Sequence, residues 1–200
     1  MSATVEQILN LTDLKEIKLN REFNFKIFQA KAINNDFQIL YTDGLKNHLQ
    51  EVNEDNLGLE CIELYILLPE YWNLENESYP IDWLEKIASV PQKNNTWFGN
   101  GDTIPAGKPA ENLSENFEAN HFILRKPNKL AGELETAELG FQFLSVIPIF
   151  QNEIDFKLKN SHSMLFKKMD AFNYTELWDV YRPSSIRSLF KRFFSPYQMR

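Results

Sequence analysis

The stretch Leu59 to Leu68 (LECIELYILL) limits the possible folds more than any other part of this chain. A strand with one wet face alternates apolar and polar side chains. This run is apolar at almost every position, so it reads as a central strand with both faces covered. Pro69 ends it. Its core, Ile62 to Pro69, is broken by Glu63 and falls far short of the ~18 residues a membrane-spanning helix needs. A sheet packed between other elements is therefore expected, in a chain long enough to bury a core without disulfide or metal support.

Around that strand the pattern is mixed. Phe25–Ile33 and Phe37–Tyr41 are rich in β-formers and are separated by Asn34-Asn35-Asp36, a cluster that tolerates positive φ and reads as a hairpin turn. Val5–Leu14 reads as a short helix. Ile81–Val90 is the clearest helix: Pro80 suits its first turn, Ile81, Leu84, Ile87 and Ala88 recur at helical spacing, and Pro91 closes it. Residues 92–116 read as a long polar loop. His121–Arg125 and Leu139–Phe150 read as strands, with Glu133 and Glu135 between them. Gln151–Lys159 and Ser163–Phe172 read as helices, with Ser163 as an N-cap. Without a strict βαβ rhythm, the fold class expected is α/β in the α+β sense: a central mixed, largely antiparallel sheet flanked by helices. Residues 1–183 form the domain. Residues 184–200 form a basic amphipathic tail, with Ile186, Leu189, Phe190, Phe193 and Phe194 at helical spacing.

Charge is segregated along the chain. The net is −7, yet the tail holds four bases and no acid, leaving −11 on residues 1–183. Between Glu51 and Glu85 stand ten acids and no Lys or Arg. Such a body repels nucleic acid and favours a basic protein partner. Glu51, Glu54, Asp55, Glu75 and Glu77 lie outside the strand and are the acids expected at the surface; the plainer reading is that they keep the domain soluble. The first residues carry acids and lack the basic-then-apolar order of a signal peptide, so a cytoplasmic protein without a transmembrane segment is expected.

The candidate catalytic motifs fail on spacing or residue type. Gly101–Pro109 (GDTIPAGKP) has five residues between its glycines rather than four, and Pro109 stands where a phosphate loop gathers N–H donors. His48, His121 and His162 form no metal-ligand pair at helical spacing, and no GxSxG elbow is present. Cys61, the one cysteine, reads as a buried thiol in the apolar strand. No enzyme signature, metal site or cofactor is implied. Trp72 and Trp97 each sit beside a loop among polar residues. They read either as interface anchors or as caps on the edge of a core.

Several segments, in their order, resemble the suppressor of fused family: FQILYTDGL (37–45), ECIELYILLPEYW (60–72), YPIDWLEKIASVPQKNNTWFGNGDTIP (79–105), FQFLSVIPIFQNEIDFKLKNSHSMLFKKM (141–169) and WDVYRPS (178–184). The resemblance implies an α/β domain with a central mixed sheet and a protein-binding, non-enzymatic role. Relatives grip an extended partner peptide between this domain and a second one, and Asp102 matches an aspartate that helps hold it. The chain looks like the single-domain bacterial form, many of which are thought to be immunity proteins encoded beside polymorphic toxins. The expectation is an immunity protein that binds a basic toxin domain stoichiometrically. The alternatives are a general interaction module that sequesters a peptide, a module whose tail docks a helix groove or anionic lipid, and an enzyme of unrecognised class.

Overall fold

The apolar run becomes β4 (Ile62–Pro69), and all eight of its residues are buried. A computed structural model describes residues 9–32, 36–128, 130, 139–174 and 176–186. The remaining strands are β1 (Leu11–Asn20), β2 (Phe25–Ala32), β3 (Phe37–Asp43), β5 (Thr103–Pro105), β6 (His121–Arg125) and β7 (Gln142–Ile149). The helices are α1 (Tyr79–Ala88), α2 (Val90–Asn94), α3 (Gln151–Lys159) and α4 (His162–Ala171). The strands make one sheet in the order β1-β2-β3-β4-β7-β6-β5. β4 and β7 run parallel, from Ile62 beside Gln142 to Tyr65 beside Ser145, and every other pairing is antiparallel. This is the mixed, largely antiparallel sheet expected.

Alternation on β4 divides the core. Ile62, Leu64, Ile66 and Leu68 face the layer that holds Leu84, Ile87 and Ala88 of α1. Tyr65 and Leu67 face the opposite side, with Ile39, Tyr41 and Phe143. On that side Ile123, Ile147 and Ile149 meet Ile154 of α3 and Leu165, Phe166 and Met169 of α4. Helix α1 thus covers one face of β4, while α3 and α4 cover the β6–β7 part of the other face and Leu130, Leu139 and Leu177 pack beside Tyr65 and Leu67. Burial pushes the Glu63 carboxyl above its ordinary value, against donors at the Thr42 hydroxyl and the Lys46 and Gly44 amides.

The structure corrects several local expectations. Leu11–Leu14 belongs to β1 rather than to a helix, and residues 5–8 of that stretch lie outside those described. β1 is an edge strand whose register to β2 shifts twice, and its side chains are mostly exposed, so no two-residue apolar alternation marks it. Pro91 does not end the helical region. It occupies the second position of α2, where its missing N–H has no intrahelical acceptor to lose. The polar loop after it contains β5, three residues paired to β6 and too short to show a period. Ser161, not Ser163, caps α4 by accepting from the Met164 amide at 3.2 Å. Cys61 precedes β4 and is half-buried. Asn34, Asn35, Glu133, Glu135 and the tail from residue 187 lie outside the described residues.

The chain after α4 straps the sheet. The Trp178 amide donates to the Leu67 carbonyl at 2.9 Å, and its indole donates to the Val146 carbonyl at 2.7 Å. Arg182 forms two parallel bonds to Glu153, both at 2.9 Å, and a third to the Pro148 carbonyl. Ser185 adds its amide and hydroxyl to the same carboxylate. Burial alone would push the Glu153 carboxyl up. The Arg182 guanidinium and the Ser185 and Phe150 amides outweigh that and hold it below its ordinary value. Arg182→Ala leaves a buried carboxylate without its cation, and urea unfolding should show a loss of about 3–5 kcal/mol. Because the folded carboxyl titrates below the unfolded one, its contribution is complete above the unfolded pKa and drains away as pH falls through the lowered value. Unfolding followed from pH 7 into that acid range should show a shallower fall for Glu153→Gln than for the wild type.

Candidate functional site

The segment between α2 and β6 builds the site. Asn95, at φ 48, ends α2 and turns the chain into Trp97 and Phe98. Gln50 fixes that stretch: its side chain accepts from the Phe98 amide at 2.8 Å and donates to the Leu59 carbonyl at 2.8 Å. Residues 99–102 then form a turn closed twice, by the Asp102 amide on the Gly99 carbonyl at 3.2 Å and by the Gly99 amide on Asp102 Oδ2 at 2.7 Å. Gly101 sits at φ 94, and a Cβ there would lie 2.3 Å from Cγ of His162, so only glycine fits. The Gly101 amide donates to the Leu124 carbonyl at 2.7 Å, and the Leu124 amide donates to the Asp102 carbonyl at 2.9 Å. Asp102 is thus fixed from both sides at the mouth of β5.

β5 is the last strand of the sheet, and beside it opens a groove of about 940 Å³. One wall is α1 and α2, with Trp83, Lys86, Val90 and Lys93; the other is Asp102 to Pro105, with Lys108 and Lys157. Trp97 and Phe23 contribute apolar surface and are half-buried. Lys86 Nζ lies 4.5 Å from the centroid of the Trp83 ring.

Five of the eight residues singled out from sequence share this end of the sheet. Trp97 and Asp102 line the groove. Glu51, Glu54 and Asp55 are exposed on the loop before β4, the loop that holds Gln50 and lays the Asn56 side chain over Gly99. Glu75 and Glu77 are exposed beyond the other end of β4. Trp72 is not presented to a partner. It is 5% exposed, packs against Tyr79 and Trp178, and donates its indole N–H to the Glu77 carbonyl at 3.1 Å.

The run of ten acids makes no single face. Glu63 is buried, and Asp82 and Glu85 pair with Lys18 at 2.9 and 2.7 Å. The exposed remainder is split by β4, whose eight residues span about 25 Å, several times the ~8 Å screening length at physiological salt. Sequence reasoning missed Phe23, Trp83, Ile104 and the four groove lysines. Trp83 and Lys86 share α1 at i, i+3, but the others come from separate segments, and no spacing along the chain links them to that helix.

Among the described residues no group of three His, Cys, Asp or Glu is placed to hold a metal ion, and no helix is long and apolar enough to cross a membrane.

A seven-stranded mixed sheet with helices on both faces is an α+β architecture shared with known proteins. The family model described as Suppressor of fused protein (SUFU) matches residues 22–183, and the chain belongs to that family. Among solved structures it is similar to a SUFU homolog from Neisseria gonorrhoeae FA 1090, with TM-score 0.70, 21% identity, and coverage of 92% of this chain and 93% of that one. It also resembles a chain of the Sufu–Fu complex, with TM-score 0.55, 13% identity and coverage of 84% and 78%. Drosophila Suppressor of Fused matches with TM-score 0.56 and 12% identity over 84% of this chain and 43% of that one. No curated protein matches the sequence.

Asp102→Ala removes the acceptor of the Gly99 amide and should cost about 1–3 kcal/mol in thermal or urea unfolding, with a red shift of tryptophan emission as Trp97 loosens. Asp102→Asn keeps an oxygen in that place and should recover most of the loss.

Proposed function

We propose that this protein is a non-catalytic, cytoplasmic binding protein that takes an extended segment of a partner protein into the groove beside β5. We further propose that the partner is a toxin, which stoichiometric binding silences, so that the chain acts as an immunity protein. The observation that carries this reading is the groove itself. Strand β5, paired among the described residues with β6 on one side only, lies beside apolar lining side chains, with Asp102 locked at its mouth and Trp97 half-exposed along it. Extended peptides are commonly held in this way, by a strand edge and pockets for alternate side chains. A relative solved in a Sufu–Fu complex supports a protein as the ligand. Glu51, Glu54 and Asp55 lie outside the groove on the adjoining loop, where they would draw in a basic partner and raise its rate of encounter.

Capture from the native host's lysate at moderate salt, read by mass spectrometry, tests both parts. A single stoichiometric partner whose expression alone kills cells, and whose toxicity this chain relieves, is the expected result. A clean blank from cells that express the neighbouring genes overturns the immunity role. With the partner in hand, Trp97→Ala should weaken binding by about 2 kcal/mol, roughly 30-fold. Replacing Glu51 and Glu54 by Gln and Asp55 by Asn should slow association severalfold and flatten its salt dependence, leaving dissociation nearly unchanged. An unchanged on-rate and salt slope removes the electrostatic part.

A further inference from the structure

We infer that the segment entering the groove is acidic: an extended stretch of a partner protein with carboxylates on both sides of an apolar side chain. The inference rests on the groove being the docking surface and adds the chemistry of what docks there.

The sign of charge reverses inside the groove. In a protein of net charge −7, the lining carries Lys86, Lys93, Lys108 and Lys157 against Glu22, Glu85 and Asp102. Two of those acids are already engaged. Glu85 holds Lys18 at 2.7 Å and accepts from Asn20, and Asp102 accepts from the Gly99 amide. None of the four lysines is in an ion pair among the described residues. Lys157 donates to the Thr103 hydroxyl at 3.4 Å, and Lys86 lies over the Trp83 ring. The cations stand on both walls, Lys86 and Lys93 on α1 and α2, Lys108 and Lys157 on the β5 side.

Apolar side chains line the groove among them, Trp83 on one wall, Ile104 on the other, with Phe23 and Trp97 beside them. Successive side chains of an extended peptide point to opposite sides. When one apolar side chain packs between the walls, its two neighbours point the other way, toward the solvent side on which Lys86, Lys93 and Lys108 are exposed. Carboxylates at those positions gain partners, whereas lysine or arginine there would meet like charge. A nucleic acid is the poorer fit, because a long polyanion in this groove passes Glu51, Glu54 and Asp55 on the adjoining loop.

The test uses the intact chain and isothermal titration calorimetry at low ionic strength. The probes are an end-blocked decapeptide alternating Asp with Phe or Leu, the same peptide with Asn for Asp, and a ten-nucleotide oligothymidylate. The expected result is that the Asp peptide binds about tenfold more tightly than the Asn peptide, with the advantage shrinking as salt rises. Lys93→Glu with Lys108→Glu should abolish the advantage without changing the melting curve, since both side chains are exposed. Trp97→Ala should weaken both peptides, reporting that they occupy the groove.

Equal affinity of the Asp and Asn peptides, with both sensitive to Trp97→Ala, overturns the acidic assignment and leaves the groove as the docking surface. An Asp preference that survives the double lysine variant also overturns the assignment. Absence of binding by either peptide overturns both. Tighter binding of the oligothymidylate than of the Asp peptide overturns the assignment in favour of nucleic acid.

Discussion

The parallel pairing of β4 with β7 is the constraint from which the rest of the molecule follows. Antiparallel neighbours can be joined by a tight turn, but parallel neighbours require the chain to travel back to the starting end of the sheet. Between Pro69 and Gln142 this chain does so with α1 and α2, which return over one face, and then lays down β5 and β6 beyond β7. The turn from α2 into β5 therefore falls at the end where β4 begins, next to the loop that holds Gln50. The groove is the space left between the returning helices and the outermost strand.

That arrangement needs its open side closed, and the C-terminal strap closes it. Leu177 pairs with Leu67 as a parallel bridge, Trp178 fills the layer between Phe122 and Trp72, and Arg182 seats on Glu153 at the start of α3. The ion pair lies almost fully out of water, where desolvation costs several kcal/mol per ion. What makes it tolerable is saturation. Glu153 accepts from Arg182, Ser185 and its own helix N-terminus at Phe150, and Arg182 also reaches the Pro148 carbonyl. Glu63 differs, since it has three neutral donors and Lys46 only at 3.6 Å, and its carboxyl moves in the opposite direction.

The parts of this fold legible in the sequence are those whose burial is two-sided or whose period is clean. β4 is apolar at alternate and intervening positions alike, and α1 carries a helical stripe behind a proline. β1 has neither property, because an edge strand with shifted register packs little of itself. The site was half legible. Trp97 and Asp102 stood out by residue type and by resemblance, and they do lie together. Trp72 looked equivalent to Trp97 along the chain, with a loop and polar neighbours on either side. Its burial depends on Tyr79 and Trp178, the latter 106 positions away, so nothing local distinguishes the two.

Charge shows the same limit more sharply. A run of ten acids reads as one negative surface when laid out in line. Folding buries one of them, pairs two with Lys18 on β1, and sends the exposed remainder to opposite ends of β4. The lysines of the groove are scattered from residue 86 to residue 157 and look like ordinary surface charge, yet the crossover brings them to one opening. Electrostatic potential is set by which charges share a screening length in space, about 8 Å at physiological salt. An acidic chain can therefore present a basic opening, with its acidic loop Glu51–Asp55 alongside. Two neighbouring surfaces of opposite sign favour a partner in one orientation, since reversing it sets like charges against each other at both places.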